Sequence, residues 1–192
     1  MQNYVSSFPV TKTKSGLTIN NGTIATVTAD DVLSGGTAIY INRGKIYARS
    51  SGNDAMDSDG IFTITGGIVV AVGARSTEAG MDVDARTLKL TGGIIIAAGG
   101  ATSGPAASVS TMHSVIAGSG SAKKIVHIEA TDGTEALTFL APASYTTLLF
   151  ASSKLKANTT YTFYSGGSVS NGTDFHGLYT SGTYTGGTIS SG

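Results

Sequence analysis

The stretch FTITGGIVV, Phe62 to Val70, decides the fold. Phe62 and Ile64 alternate with Thr63 and Thr65, as in a strand with one buried face, and an apolar run follows a Gly66-Gly67 corner. Three further segments align with it: LTINNGTIA (Leu17 to Ala25), IYINRGKIY (Ile39 to Tyr47) and LKLTGGIII (Leu88 to Ile96). Their corner glycines, Gly22, Gly44, Gly67 and Gly93, are spaced by 22, 23 and 26 residues. Helical periodicity is absent. A non-helical repeat of this length suits one turn of a parallel β-helix, in which each unit buries its apolar face only by stacking on its neighbours. A leucine-rich repeat has a similar length, but its Leu-x-x-Leu-x-Leu frame is missing.

Stacked turns predict ladders of equivalent side chains about 4.8 Å apart. The alignment gives Ile19, Ile41, Ile64 and Leu90 as one inward ladder, and Ile24, Ile46, Val69 and Ile95 as another. Residues 15–100 therefore read as regular turns. Beyond Gly100 the pattern weakens. IVHIEATDGTEALTF reads as a hairpin with a type I′ turn at Asp132-Gly133, and TYTGGTIS near the end repeats the glycine-corner pattern. The expectation for 1–192 is a single all-β domain, a right-handed parallel β-helix. Residues 101–192 are expected to supply irregular further turns with a hairpin excursion that caps the coil.

Composition narrows the function. The chain is 12% charged with zero formal net charge, which argues against a nucleic-acid or anionic-membrane surface. It has no cysteine, so no disulfide framework and no thiolate zinc site, and its three histidines are widely separated. No apolar run is long enough for a transmembrane helix, and the first residues lack the pattern of a signal peptide. GSGSAKK (Gly118 to Lys124) lacks the phosphate-loop frame, and no nucleophile elbow exposes a serine.

Against this sparse charge, GNDAMDSDG (Gly52 to Gly60) is echoed 25 residues later by TEAGMDVDA (Thr77 to Ala85). Met56, Asp57 and Asp59 match Met81, Asp82 and Asp84, and Asn53 falls opposite Glu78. Alternation turns the methionines inward with Leu33 and the four aspartates outward as a two-by-two array. Two carboxylates about 4.8 Å apart repel by roughly 3–4 kcal/mol at an effective dielectric of 20. A calcium ion between the turns relieves this, because it takes 6–8 hard oxygen ligands at ~2.3–2.6 Å. Asn53, Asp54 or Glu78 would complete the shell. The plainer alternative is a set of solvated turn acids beside glycine.

These residues bring in a resemblance. The segments SSGNDAMDSDGIFTITGG, EAGMDVD, LKLTGGIIIAAGGATSGP, ASVSTMHSVIAGSGSAKKIVHIEATDG and LLFASSKLKANTTYTFYSGGSVSNGTDFHGLYTSGTYTGGT cover most of residues 50–188. In them the chain resembles a bacterial family of carbohydrate-binding β-helix proteins, itself similar in fold to family 9 pectate lyases. The resemblance implies a secreted or surface protein with bound calcium that binds acidic plant polysaccharide such as polygalacturonate, with cellulose as a further ligand. Carried over residue by residue, it draws calcium ligands from Asp57, Asp59, Glu78, Asp82 and Asp84.

A pectate lyase also needs a basic side chain to remove the C5 proton of the uronate. Arg49, Arg75, Arg86 and Lys89 lie near the acidic turns in sequence, and only Lys89 is a comfortable base, since arginine holds its proton. The expectation is therefore a binding protein without catalytic residues, in which Tyr47, Arg49, Arg75 and Lys89 contact acidic glycan outside the cell or at its surface. End-to-end self-association into a structural filament and weak polyuronate lyase activity are the competing expectations.

Overall fold

The computed structural model describes residues 5–6, 11–85 and 87–190. All regular structure in them is strand, and no helix is long and apolar enough to cross a membrane. The chain winds as a parallel β-helix of about four turns. Each turn contributes one strand to each of three sheets. The first sheet stacks Thr11–Thr13, Leu33–Gly35, Met56–Ser58 and Met81–Val83. The second stacks Gly16–Ile19, Ala38–Ile41, Ile61–Ile64 and Leu88–Leu90. The third begins with Val5–Ser6, Thr23–Thr28, Lys45–Ser50, Ile68–Val72 and Ile94–Gly99.

Register follows the repeat. Ile19 pairs with Ile41, Ile41 with Ile64 and Ile64 with Leu90. Ile24, Ile46, Val69 and Ile95 align in the same way on the third sheet. From Ile41 onward the first of these ladders is fully buried, as are Ile46, Val69 and Ile95. Each such side chain contributes about 1.5–3 kcal/mol by leaving water. At the corners, Gly44 and Gly67 have φ of 108° and 92°, and Ile68 N–H donates to Gly44 O at 2.9 Å. A Cβ on Gly67 would lie 2.6 Å from that same carbonyl oxygen, so backbone angle and close stacking both demand glycine here.

The Ile68–Val72 and Ile94–Gly99 strands of the third sheet are buried on both faces, which explains why IVVAV and IIIAAG are continuously apolar rather than alternating. Ile46, Ala48, Val69, Ala71, Ile95 and Ala97 face the coil interior. Tyr47, Val70, Val72, Ile96 and Ala98 face outward into a second core with Ile128, Leu137, Phe139, Leu148 and Phe150. A fourth sheet forms the other wall of that core. It is antiparallel, in the order Ser168–Phe175, Leu178–Thr185, Glu135–Leu140, Ile125–Ala130, Tyr161–Ser165, Thr188–Ile189.

The further turns expected after residue 100 do not form. Ser103 to Thr111 trace only part of a fifth turn, donating backbone hydrogen bonds to Met81 O, Leu88 O and Leu90 O. Thr147–Ser152 and Ser114–Ala117 then extend the third sheet in antiparallel sense. TYTGGTIS is likewise no further corner of the coil, because Thr188 and Ile189 pair antiparallel with Ser165 and Tyr164. The hairpin at Asp132-Gly133 is present, but its turn is not type I′. Ala130 N–H donates to Thr134 O, Gly133 N–H donates to Ala130 O, and only Gly133 has positive φ. This is a three-residue loop with glycine in the left-handed position.

Candidate functional site

The first sheet stacks Asp82 directly on Asp57, which in turn follows Ser34 in the same row. Both aspartates are partly buried on the outer face, while Met56 and Met81 in the neighbouring row are fully buried. Serines bound the acidic pair. Ser34 Oγ donates to Asp57 Oδ2 at 3.5 Å, and Ser103 Oγ donates to Asp82 Oδ1 at 3.4 Å.

Asp54 closes the group. It precedes Met56 by two residues and is only 8% exposed, and it accepts a short hydrogen bond from the backbone N–H of Ala79 on the next turn. One carboxylate oxygen from each of Asp54, Asp57 and Asp82 lies within 4.8 Å of the other two. Burial first, opposed by the Ala79 hydrogen bond and reinforced by the charges of Asp82, Glu78 and Asp31, lifts the Asp54 carboxyl to about 7. Burial first, then the charges of Asp31, Asp59, Asp82 and Asp84, lifts Asp57 to about 6. The neighbouring charges thus oppose ionisation of Asp54 and Asp57.

The other expected ligands lie at the margin. Asp59 and Asp84 are exposed at the ends of their strands. Asn53 turns its amide to Asp30 at 3.1 Å, and Glu78 accepts the Thr77 hydroxyl at 2.8 Å. Asp31 was not among the expected ligands, yet it is 6% exposed and its Oδ1 is buried with no hydrogen-bond partner. Its other oxygen pairs with Lys12 Nζ at 3.2 Å. The signal was present in the sequence, since Asp31 precedes Leu33 by the same two residues that separate Asp54 from Met56.

The residues expected to contact glycan do not converge. Lys89 lies on the second sheet, beside Thr63, while Asp57 and Asp82 lie on the first. Arg75 is exposed in the connection between the third and first sheets, and Arg86 lies outside the described residues. Tyr47 and Arg49 share the outward side of the third sheet, and Tyr47 is no open platform. It is 6% exposed and stacks on His176, with ring centroids 3.9 Å apart and planes within 2°. His176 and Gly177 form the tip of the hairpin joining Ser168–Phe175 to Leu178–Thr185, both with positive φ, as a type I′ turn requires. That tip covers the tyrosine.

A shallow groove runs beside the acids, lined by Asp82, Val83, Asp84, Ala101, Ser103 and Gly104. The donor set is all oxygen, with no histidine or cysteine in the cluster, which suits a hard divalent ion of calcium type. Comparisons of the chain with protein-family models, with curated proteins and with solved structures find no match.

Proposed function

We propose that this β-helix binds calcium through its first sheet and uses the bound ion to hold acidic polysaccharide, without catalysing its cleavage, outside the cell or at its surface. The observation that carries the reading is the convergence of Asp54, Asp57 and Asp82 within 4.8 Å across adjacent turns. Asp54 from a buried position, and Asp57 and Asp82 from partly buried ones, would hold an ion there. Because those two are only partly buried and the groove along Asp84 and Ser103 runs beside them, a bound ion would stay accessible to a ligand from solvent. A uronate carboxylate supplies the hard oxygen that such an open coordination position takes. The lack of a free aromatic platform at Tyr47 supports recognition by charge and coordination rather than by stacking on neutral sugar faces. The non-catalytic reading is supported by the position of Lys89 on a different sheet from the acids.

Calorimetry tests this directly. Calcium should bind the wild-type protein, and polygalacturonate should bind only with calcium present. Equal polygalacturonate binding in chelator would remove the bridging role, and no calcium uptake would remove the site.

A further inference from the structure

The segment GSGSAKK, Gly118 to Lys124, follows the edge strand Ser114–Ala117 and lies apart from the acids. Gly120 N–H donates to Tyr145 O at 3.1 Å, and Tyr145 N–H donates to Gly120 O at 3.0 Å. Ala122 N–H donates to Ser144 Oγ at 3.0 Å, and Lys123 N–H donates to Ala141 O at 2.8 Å. A Cβ on Gly120 would strike the Tyr145 phenol, so glycine lets the backbone lie close against that ring. The segment so fixed and the strand Tyr161–Ser165 line a cavity of about 260 Å³.

Three features set what this cavity can hold. Val126 and Phe163, both only partly buried, give it apolar surface at the margin of the second core. Ser119, Ser121, Ser165 and Ser190 bring exposed hydroxyl-bearing side chains to it. Among the described residues, Lys124 is the only charged one in its lining. The amides of Gly120, Ala122 and Lys123 are already bonded, so the segment is not a nest of free N–H groups for phosphate. A ligand that uses all three features is compact, has an apolar face, carries hydroxyls and bears one carboxylate. The volume lies below the ~300–1,000 Å³ of pockets for drug-sized ligands, which suits one sugar ring rather than a length of chain.

We propose that this cavity binds the terminal uronate of an acidic glycan independently of calcium, with the C–H face of the sugar on Phe163 and Val126, its hydroxyls at the serines and its carboxylate at the Lys124 ammonium. From the calcium reading above this takes only the class of glycan. A long chain offers the cavity one end among many internal units, so the ion still governs binding of the polymer.

Chemical-shift titration in chelator tests the assignment, with galacturonate, trigalacturonate, galactose and inorganic phosphate as probes. Galacturonate and trigalacturonate should shift Ser119, Lys124 and Phe163 saturably, and galactose, which lacks the carboxylate, should bind several-fold more weakly. Lys124→Gln should weaken galacturonate by about fivefold, to the level of galactose. Lys123→Gln, outside the lining, should keep wild-type affinity. No saturable shift, phosphate binding as tightly as galacturonate, or equal weakening in the two variants would overturn the proposal. Galacturonate binding without trigalacturonate binding would make this a site for the free sugar and overturn the chain-end assignment. Calcium-dependent binding of polygalacturonate is read separately, and its absence would overturn the calcium reading alone.

Discussion

Asp82 sits one turn above Asp57 in strict parallel register, with Met81 above Met56 beside them. The pairing couples two opposite requirements. The methionine row must be dry to hold the coil together, and the aspartate row one residue away must tolerate stacked like charge. What relieves that charge determines how the protein responds to protons and metal.

Without metal, stability should fall as pH rises from about 4 to about 7. Asp54 is lifted from 3.8 to about 7 and Asp57 to about 6, so the native state holds protons that the unfolded chain has released across that window. For a carboxyl whose folded value is raised, the native state is favoured below the unfolded value, and this advantage is lost as pH climbs through the folded one. Asp54, the more strongly lifted of the two, contributes the larger part of this loss. Thermal melts in chelator at several pH values will show the trend, and a flat profile would mean that these acids are not crowded in solution.

Calcium should reverse the slope at neutral pH. An ion that binds only the folded state adds about 2.7 kcal/mol at a hundredfold excess over Kd. Wild type should melt higher in calcium than in chelator, while the Asp57→Asn, Asp82→Asn double variant should show little difference. In chelator that variant should match or exceed wild type, because two repelling charges are gone. The comparison needs only melting curves.

Gly67→Ala should destabilise the coil without touching the acids. The new Cβ would meet Gly44 O at 2.6 Å on a backbone with φ of 92°, so strain and clash combine. A loss of about 2–3 kcal/mol is expected, read from denaturant midpoints. Calcium affinity of the folded fraction should stay at the wild-type level.

Phe139→Ala should cost about 3–5 kcal/mol, because Phe139 is fully buried in the core shared by the third and fourth sheets. Hydrogen exchange should quicken first in Glu135–Leu140 and its partner Ile125–Ala130. Uniform loosening of the first sheet as well would show that the two cores unfold as one unit.

Polygalacturonate incubated with the protein and calcium at alkaline pH should yield no unsaturated uronate, followed by absorbance. Lys89→Ala is the control. Product that disappears in that variant would make the protein a lyase.

Much of this architecture was legible because a solenoid repeats its contacts. Gly22, Gly44, Gly67 and Gly93 recur at near-constant intervals, and the residues that touch across turns are those that align in the sequence. The pairing of Asp57 with Asp82 was visible for the same reason. Asp31 was harder to see, because its row is displaced by one turn from the echo of Asp57 and Asp59 in Asp82 and Asp84.

The sequence by itself determined the coil, its inward ladders, its glycine corners and the stacking of one aspartate pair, since each depends on neighbours one period away. Only the tertiary structure decided how the C-terminal half is used. Whether TYTGGTIS stacks as another corner or lies at an antiparallel edge, and whether Tyr47 is open or covered by His176, depends on one sheet docking on another. That docking is set by shape and burial between segments as far apart as Tyr47 and His176, and no repeat encodes it. The same holds for Asp31 Oδ1, whose want of a partner follows from how three turns and Lys12 pack around it.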